Sequence, residues 1–200
     1  MTSEKIVVTR GFSHAERREV ADVFWDGLGD KMLRVLGPEA RGIATMADAM
    51  DPDFVFTARR RGRIVGMAGL KRPDGAFGQP RFDVLARHFG VAGGAWRAAL
   101  TKLDKARARP GTLVLDALCV RSSERGLGVG AALMEACRAE AAARDLEKVT
   151  IQVVAENAGA RRFYAREGCV EVSEVSLGMI GYFFGISTMV NLELTPHPSG

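Results

Sequence analysis

The sequence R-G-L-G-V-G-A-A-L-M-E, residues Arg125–Glu135, alternates three glycines with apolar residues and then becomes rich in alanine. It follows a nearly continuous apolar run, Thr112–Val120, which is typical of a strand buried on both faces. We therefore expect a strand, a glycine turn and a helix over residues 127–143. A helix that begins on glycines presents unbonded main-chain N–H groups and a partial positive charge, and both suit a phosphate group.

The spacing of this turn also fits a dinucleotide. Gly126, Gly128 and Ala131 satisfy the fingerprint G-x-G-x-x-G/A. A dinucleotide turn follows its strand directly, whereas residues 121–125 intervene here. The acid that should bind the ribose is also misplaced, since Glu156 comes about thirty residues after the first glycine rather than about twenty. A nucleotide-binding oxidoreductase is therefore the less favoured alternative, and the absence of a following Gly-Lys-Ser/Thr argues against a nucleotide triphosphate loop.

The composition predicts one globular domain over residues 1–200, because 47% hydrophobic residues can form an ordinary core. The three cysteines, Cys119, Cys137 and Cys169, are widely spaced and no histidine cluster accompanies them. This pattern argues against a metal site and against a disulfide scaffold. Because the first ten residues lack a long apolar core, we expect no signal peptide and a cytoplasmic protein.

Two segments raise other classes of partner. The net charge of +4 is spread over the chain, and the arginine run at residues 59–63 is interpreted as a solvated hairpin tip rather than a nucleic-acid site. Residues 175–192 carry no charge over a length that can span a membrane. Three glycines and several polar residues in this segment favour a pair of strands around an apolar loop.

The remaining patterns predict a mixed α/β or α+β fold without an internal repeat. A capping box of Ser13 and Glu16 begins the first helix, and Arg61-Gly62 joins a tight hairpin. A helical insertion is expected within residues 71–110, at 83–89 and 96–107. The other expected elements are strands 5–9, 53–60, 63–70, 148–154, 170–175 and 186–194, and helices 13–28, 31–36, 38–50 and 158–167, the last closed by Gly168.

Two motifs resemble those of the GNAT N-acetyltransferases. Arg125-Gly126-Leu127-Gly128-Val129-Gly130 matches the signature R/Q-x-x-G-x-G/A. The second motif of that family is similar to a set of residues on the following strand and helix: Asn157, Ala160, Phe163, Tyr164 and Gly168. The resemblance is strong over residues 112–175, and Cys169 departs from the usual Phe. It implies a mixed sheet of six to seven strands, flanked by helices, in which two parallel strands splay apart around acetyl-CoA.

The resemblance also implies the cofactor-binding residues. Main-chain groups of Leu118, Cys119 and Val120 would bond the pantetheine arm as a further strand would. The pyrophosphate would be held by amides of the glycine turn, namely those of Arg125, Gly126, Leu127, Gly128, Val129 and Gly130. Asn157 would contact the arm, and it is equally suited to cap the helix that follows.

Two residues are candidates for catalysis. Tyr164 is similar in position to the general acid of the family, and its alternative role is a buried ring with a bonded hydroxyl. Asp116 lies inside an apolar strand, where strict alternation places it on the face of Val114, Leu118 and Val120. It is a candidate general base, or a structural carboxylate with a polar partner. A strand amide near Val120 is the candidate oxyanion donor, and two acids are weaker candidates for the base: Glu171 and Glu174.

The resemblance implies an N-acetyltransferase that passes acetyl from acetyl-CoA directly to a primary amine in a ternary complex. Cys119 permits a covalent acyl-cysteine, but a buried structural thiol is expected. By the resemblance, the helices after the first strand and the tail of the last hairpin would line the pocket of the acceptor, a small molecule or peptide. Their residues would form an apolar cleft, or could equally belong to the core or to a dimer surface: Phe24, Trp25, Met32, Met179, Tyr182, Phe183 and Phe184. A homodimer is a further expectation, with no nucleic-acid or membrane partner. The competing class is a non-catalytic acyl-CoA-binding or regulatory domain.

Overall fold

The computed structural model describes residues 5–101, 109–178, 181 and 185–196. Short 3₁₀ turns precede the first helix, the second strand and the glycine turn. The strands are β1 (Val7–Arg10), β2 (Val55–Arg60), β3 (Arg63–Arg72), β4 (Gly75–Ala76), β5 (Thr112–Val120), β6 (Lys148–Val154), β7 (Val170–Ser176) and β8 (Thr188–Leu194). The helices are α1 (Arg17–Leu36), α2 (Glu39–Ala49), α3 (Phe82–Thr101), α4 (Val129–Ala143) and α5 (Ala158–Arg166).

The described strands form one sheet in the order β1-β2-β3-β5-β6-β8-β7, with the short β4 beside β3. Strands β5 and β6 run parallel, and each of the other described pairs is antiparallel. The predicted mixed sheet flanked by helices is therefore confirmed. The single-domain organisation over residues 1–200 stays a prediction.

Helices α1 and α4 cover opposite faces of this sheet. A Cβ added to Gly66 of β3 would lie 2.7 Å from the Val129 Cγ1 atom of α4. A Cβ added to Gly27 of α1 would lie 2.7 Å from the Cys119 Sγ atom of β5. Because Cys119 pairs with Met67, the neighbour of Gly66, the two contacts are on opposite faces of the sheet.

The sequence predicted two helices between Ser13 and Leu36, and this prediction is wrong, because α1 is one continuous helix. Gly29, at the expected break, is buried beneath the Trp25 indole, and an added Cβ would lie 2.6 Å from Trp25 Nε1. Gly42 of α2 approaches the same ring even more closely. The two glycines thus make room for a large side chain where α1 and α2 pack together.

The predicted capping box begins the chain's first helical turn. The Glu16 carboxylate accepts hydrogen bonds from Ser13 N at 2.7 Å and Ser13 Oγ at 2.8 Å, and it accepts another from Arg59 Nη2 at 2.9 Å. These donors, chiefly the Ser13 amide, lower the pKa of Glu16 to about 2. The ionised carboxylate therefore joins the start of α1 to the β2–β3 hairpin.

The predicted hairpin is confirmed, and the segment expected as a helical insertion contains a helix where it is described. Arg61 and Gly62 have φ angles of 53° and 74°, as a two-residue hairpin turn requires. The insertion forms α3, which changes direction at Gly90, and its predicted continuation beyond residue 101 lies outside the described residues.

Within the described chain, no helix is long and apolar enough to cross a membrane. Ser176 and Thr188 instead mark the inner ends of the strand pair β7 and β8.

Replacing Glu16 by alanine should lower the free energy of unfolding by about 1 kcal/mol at pH 7, the usual cost of losing a helix cap. A carboxylate whose folded pKa is depressed stabilises the fold above its unfolded pKa, near 4.5, and loses this effect as pH falls toward 2. The difference between wild type and variant should therefore shrink over that range in urea denaturation at several pH values. The exposed Glu39 of α2, changed to alanine, is the control, and an E16A effect independent of pH would contradict the assignment.

Candidate active site

The site begins where β5 and β6 separate. Their parallel pairing runs from Thr112 and Lys148 to Leu115 and Ile151 and then stops, although both strands continue. On its other edge, β5 stays paired with β3 as far as Val120. The predicted splay of the two parallel strands is therefore confirmed.

A β-bulge lies at the point of separation. Gly69 pairs with Ala117 and Leu70 pairs with Leu115, so Asp116 is the extra residue on β5. A bulge bends its strand and increases the local twist. Here the bend keeps the end of β5 on β3 and takes it away from β6.

The bulge also corrects one prediction from the sequence. Strict alternation placed Val114 and Leu118 on one face, with Asp116 between them. The register instead pairs Val114 with Lys71 and Leu118 with Ala68. Because the partners are three residues apart on β3, Val114 and Leu118 are on opposite faces. The exposed Asp116 side chain marks this reversal, since the adjacent residues of β5 are buried.

The direction of the main-chain groups follows from the ladder between β5 and β3. The amide of Arg121 donates to the Val65 carbonyl at 2.9 Å. Because alternate residues direct their main-chain groups to opposite sides, those of Cys119 also face β3. The groups of Leu118 and Val120 face the gap. The expectation that Cys119 offers main-chain hydrogen bonds to a ligand in the gap is therefore at odds with its place in the ladder.

The glycine turn lies at the same end of the sheet. Gly126 and Gly128 have φ angles of 77° and 84°, a region that other residues rarely adopt, and α4 begins at Val129. Gly130 leaves room for a neighbouring ring, because an added Cβ would lie only 3.1 Å from the Phe163 ring of α5. The main-chain N–H groups of residues 126–130 make no hydrogen bond to any described residue. They are therefore available to an anion.

The Arg125 side chain turns back to the protein. Its Nε atom donates to the Val120 carbonyl at 3.1 Å, and Nη2 donates to the Asp26 carbonyl at 3.4 Å. The Asp26 carboxylate also accepts from Ser122 N at 2.7 Å. These bonds fix the turn to β5 and to α1. No sequence motif indicates Asp26, because its partners are almost a hundred residues away.

Asn157 caps α5 on the far side of the gap. Its Oδ1 atom accepts a hydrogen bond from Ala160 N at 3.0 Å, and its own amide donates to the Val154 carbonyl at 2.9 Å. The capping role is therefore confirmed. This bond occupies the oxygen and leaves the side-chain NH₂ group as the part that can meet a ligand.

Tyr164 is buried in α5, with its ring 5.2 Å from that of Phe163. Its hydroxyl makes no hydrogen bond to any described residue. Of the described residues, Arg138 is the one whose side chain has a fully buried nitrogen or oxygen without a hydrogen bond, at Nε. The Tyr164 oxygen also has no hydrogen bond, so it is not fully buried and retains contact with solvent. Burial raises the pKa of Tyr164, and the hydroxyl therefore keeps its proton at neutral pH.

Cys119 is almost completely buried between β5 and α1, with its sulfur 3.8 Å from the Phe24 carbonyl. Burial raises the pKa of the thiol to about 12, although Lys31 and Arg125 oppose this effect. A neutral, covered thiol is a poor nucleophile. This environment agrees with the expected structural role.

Three of the residues expected to line the acceptor cleft belong to the core or pack against it. Phe24 packs against Phe77 with ring centroids 6.0 Å apart, and Trp25 fills the space between α1 and α2. Both are therefore core residues, and Met32 packs against the same core. The other four residues of the predicted cleft, Met179, Tyr182, Phe183 and Phe184, lie outside the described residues.

Asp116 and the two alternative acids differ in their surroundings. Glu171 forms two hydrogen bonds of 2.8 Å with the Arg161 guanidinium on the outer edge of the sheet, and it is exposed. Glu174 lies on the same exposed strand, β7. Of the three, Asp116 is the carboxylate at the point where β5 leaves β6.

Taken together, the divergent strands, the glycine turn and the buried tyrosine define an acetyltransferase fold. The chain matches the family model described as the Acetyltransferase (GNAT) family over residues 34–169. It therefore belongs to that family and is an acetyltransferase, which confirms the resemblance drawn from the two motifs. A search of curated proteins finds no match.

Solved structures support the same fold. One described as an acetyltransferase has a TM-score of 0.67 and 19% identity, and the match covers 96% of this chain and 100% of the other. The polyamine N-acetyltransferase of Drosophila melanogaster has a TM-score of 0.59 and 20% identity, with coverage of 96% and 100%. The ribosomal-protein-S18-alanine N-acetyltransferase of Escherichia coli has a TM-score of 0.57 and 12% identity, with coverage of 98% and 97%.

Cys119 gives a direct test of the transfer route. A C119A variant should retain most of the wild-type rate of acetyl transfer, because the thiol is buried and protonated. In the folded wild type, iodoacetamide should leave Cys119 unmodified at pH 8, as peptide mass spectrometry would show. Loss of turnover in a folded C119A protein, together with an acetylated Cys119 in wild type, would establish a covalent route instead.

Proposed function

We propose that the chain transfers the acetyl group of acetyl-CoA to a primary amine by direct attack in a ternary complex. The observation that carries this proposal is the arrangement of β5, β6 and the glycine turn at one end of the sheet. The gap offers unpaired main-chain groups to an extended arm, and the turn offers unbonded amides to its diphosphate. A coenzyme A thioester has both parts in this order.

The coenzyme would bind from the face that α4 and α5 cover. Its diphosphate would accept hydrogen bonds from amides within residues 126–130, at the positive end of α4. Its pantetheine would pair with the groups of Leu118 and Val120 that face the gap. The Asn157 side-chain NH₂ would reach the arm from the end of β6. The Val120 carbonyl is already bonded to Arg125, so Leu118 supplies the carbonyl of this pseudo-strand.

The chemistry requires a neutral amine, a donor for the oxyanion and a proton for the departing sulfur. We assign the oxyanion to the strand amide of Leu118, two residues before Val120, because it faces the gap on the side of Asp116 and the pantetheine uses the Val120 amide and the Leu118 carbonyl. Asp116, exposed at the bulge, would accept the proton of the amine directly or through water. The protonated Tyr164 hydroxyl would donate its hydrogen to the departing sulfur. The C–N bond forms as the C–S bond breaks, and coenzyme A leaves as the thiol.

The acceptor of the proposed reaction is a small-molecule or peptide amine. Two of the solved structures named above are described as acting on a polyamine and on an alanine of a ribosomal protein. We propose an amine acceptor for this chain as well, and neither of those two substrates is part of the proposal. A homodimer is part of the same proposal.

A Y164F variant tests both the donor and the chemistry. It should bind acetyl-CoA with wild-type affinity in calorimetry, because the lost hydroxyl donates only as the sulfur departs. Its rate of thiol release should fall about 10²-fold or more, the usual contribution of a general acid. An unchanged rate would remove the role of Tyr164, and an acyl-CoA sensor would bind the ligand without release of thiol in either protein. Absence of heat with acetyl-CoA in wild type would overturn the proposed function itself.

A further inference from the structure

Lys31 of α1 lies over the gap between β5 and β6. Four residues before it, Gly27 packs against the Cys119 Sγ atom of β5. Three residues after it, the Arg34 guanidinium lies 3.5 Å from the position of a Cβ added to Gly185. Gly185 leads into β8, the neighbour of β6. Since residues 27, 31 and 34 share one helix face, Lys31 lies on the part of α1 that crosses the gap.

The charge of Lys31 is also uncompensated within the part of the chain that the structure describes. Its side chain is half-buried, and it makes no hydrogen bond or ion pair to any described residue. Burial lowers the pKa of its ammonium, and the neighbouring Cys119 thiol is neutral. The Asp26 carboxylate, one turn earlier, is bound to the Ser122 amide, and Asp30 is exposed beside it. A partly desolvated ammonium without a counter-charge is costly, and an anion bound beside it would relieve that cost.

The face of the sheet indicates which ligand supplies this anion. The glycine turn, α4 and Tyr164 of α5 belong to the face through which the diphosphate would bind, whereas α1 covers the opposite face. If the pantetheine occupies the gap, its thioester is presented toward the side of α1. A group that meets Lys31 therefore comes from the acceptor and not from the phosphates of the coenzyme.

Building on the proposed function, we propose that Lys31 binds a carboxylate of the acceptor, so that the preferred substrate is an amine that also carries a carboxylate. One ammonium matches the single negative charge of a carboxylate. The same charge disfavours a polyamine, whose second cation would lie beside Lys31. Lys31 is then a specificity-determining residue, and it acts by holding the acceptor with its amine toward the thioester.

The experiment compares three amino acids with the amines that remain when their carboxylate is removed: lysine with cadaverine, arginine with agmatine, and phenylalanine with phenethylamine. Thiol release gives kcat/KM for each member with wild type, K31M and K31R. Lys148 at the far end of β6, changed to methionine, is the matched control, because it also loses one positive charge. Calorimetry with acetyl-CoA is run on every variant.

Wild type and K148M should prefer the amino acid in at least one pair, and K31M should lower this preference about tenfold or more, the value of a hydrogen bond to a charged group. K31R should restore part of the preference, and all variants should bind acetyl-CoA equally. A preference for the amines, a ratio unchanged in K31M, or no turnover of any amino acid would overturn the proposal. Acetyl-CoA binding is measured separately, so such a result would not contradict the proposed coenzyme site. Absence of acetyl-CoA binding in wild type would instead reject the proposed function.

Discussion

The structure depends on one interruption in the hydrogen bonding of the sheet. Asp116 is inserted into β5 as a bulge, and the parallel pairing with β6 ends at the preceding residue, Leu115. A central strand normally satisfies its main-chain groups on both sides, because leaving them unpaired away from water is costly. Beyond the bulge β5 keeps one of its two neighbours, and the groups of Leu118 and Val120 are left facing a gap. These groups are the part of the sheet that we propose binds the coenzyme.

The other parts of the site hold this gap in place. Arg125 and Asp26 connect the glycine turn to the end of β5 and to α1, so the amides of the turn and the edge of the strand keep a fixed relation. Tight helix packing at Gly27 brings α1 over the opposite face. The gap therefore opens on two faces that carry different groups: amides and Tyr164 on one, and the ammonium of Lys31 on the other. Such an arrangement allows a donor and an acceptor to meet without sharing an entrance.

Local sequence predicted much of the fold, including the strand and the glycine turn that form the proposed coenzyme site. The apolar run Thr112–Val120, the glycine turn and the hairpin at Arg61-Gly62 have signals that depend on neighbouring residues. The bulge at Asp116 has no such signal, because it is set by the register with β3, about fifty residues earlier. The continuity of α1 through Gly29 and the inward turn of Arg125 also depend on distant partners, Trp25 against Gly42 and the carbonyl of Asp26. Lys31 was missed for the same reason, since its half-buried position follows from helix placement and not from a motif.

The most direct measurement is amide hydrogen exchange at Leu118, Cys119 and Val120, with and without acetyl-CoA. Cys119 already donates within the ladder to β3, so its exchange should be slow in both states. The amides of Leu118 and Val120 face the gap, and the coenzyme should slow their exchange by pairing with them. This result would show that the coenzyme occupies the place that β6 leaves. Equal exchange of the three amides with and without acetyl-CoA, at concentrations where it binds, would contradict the account.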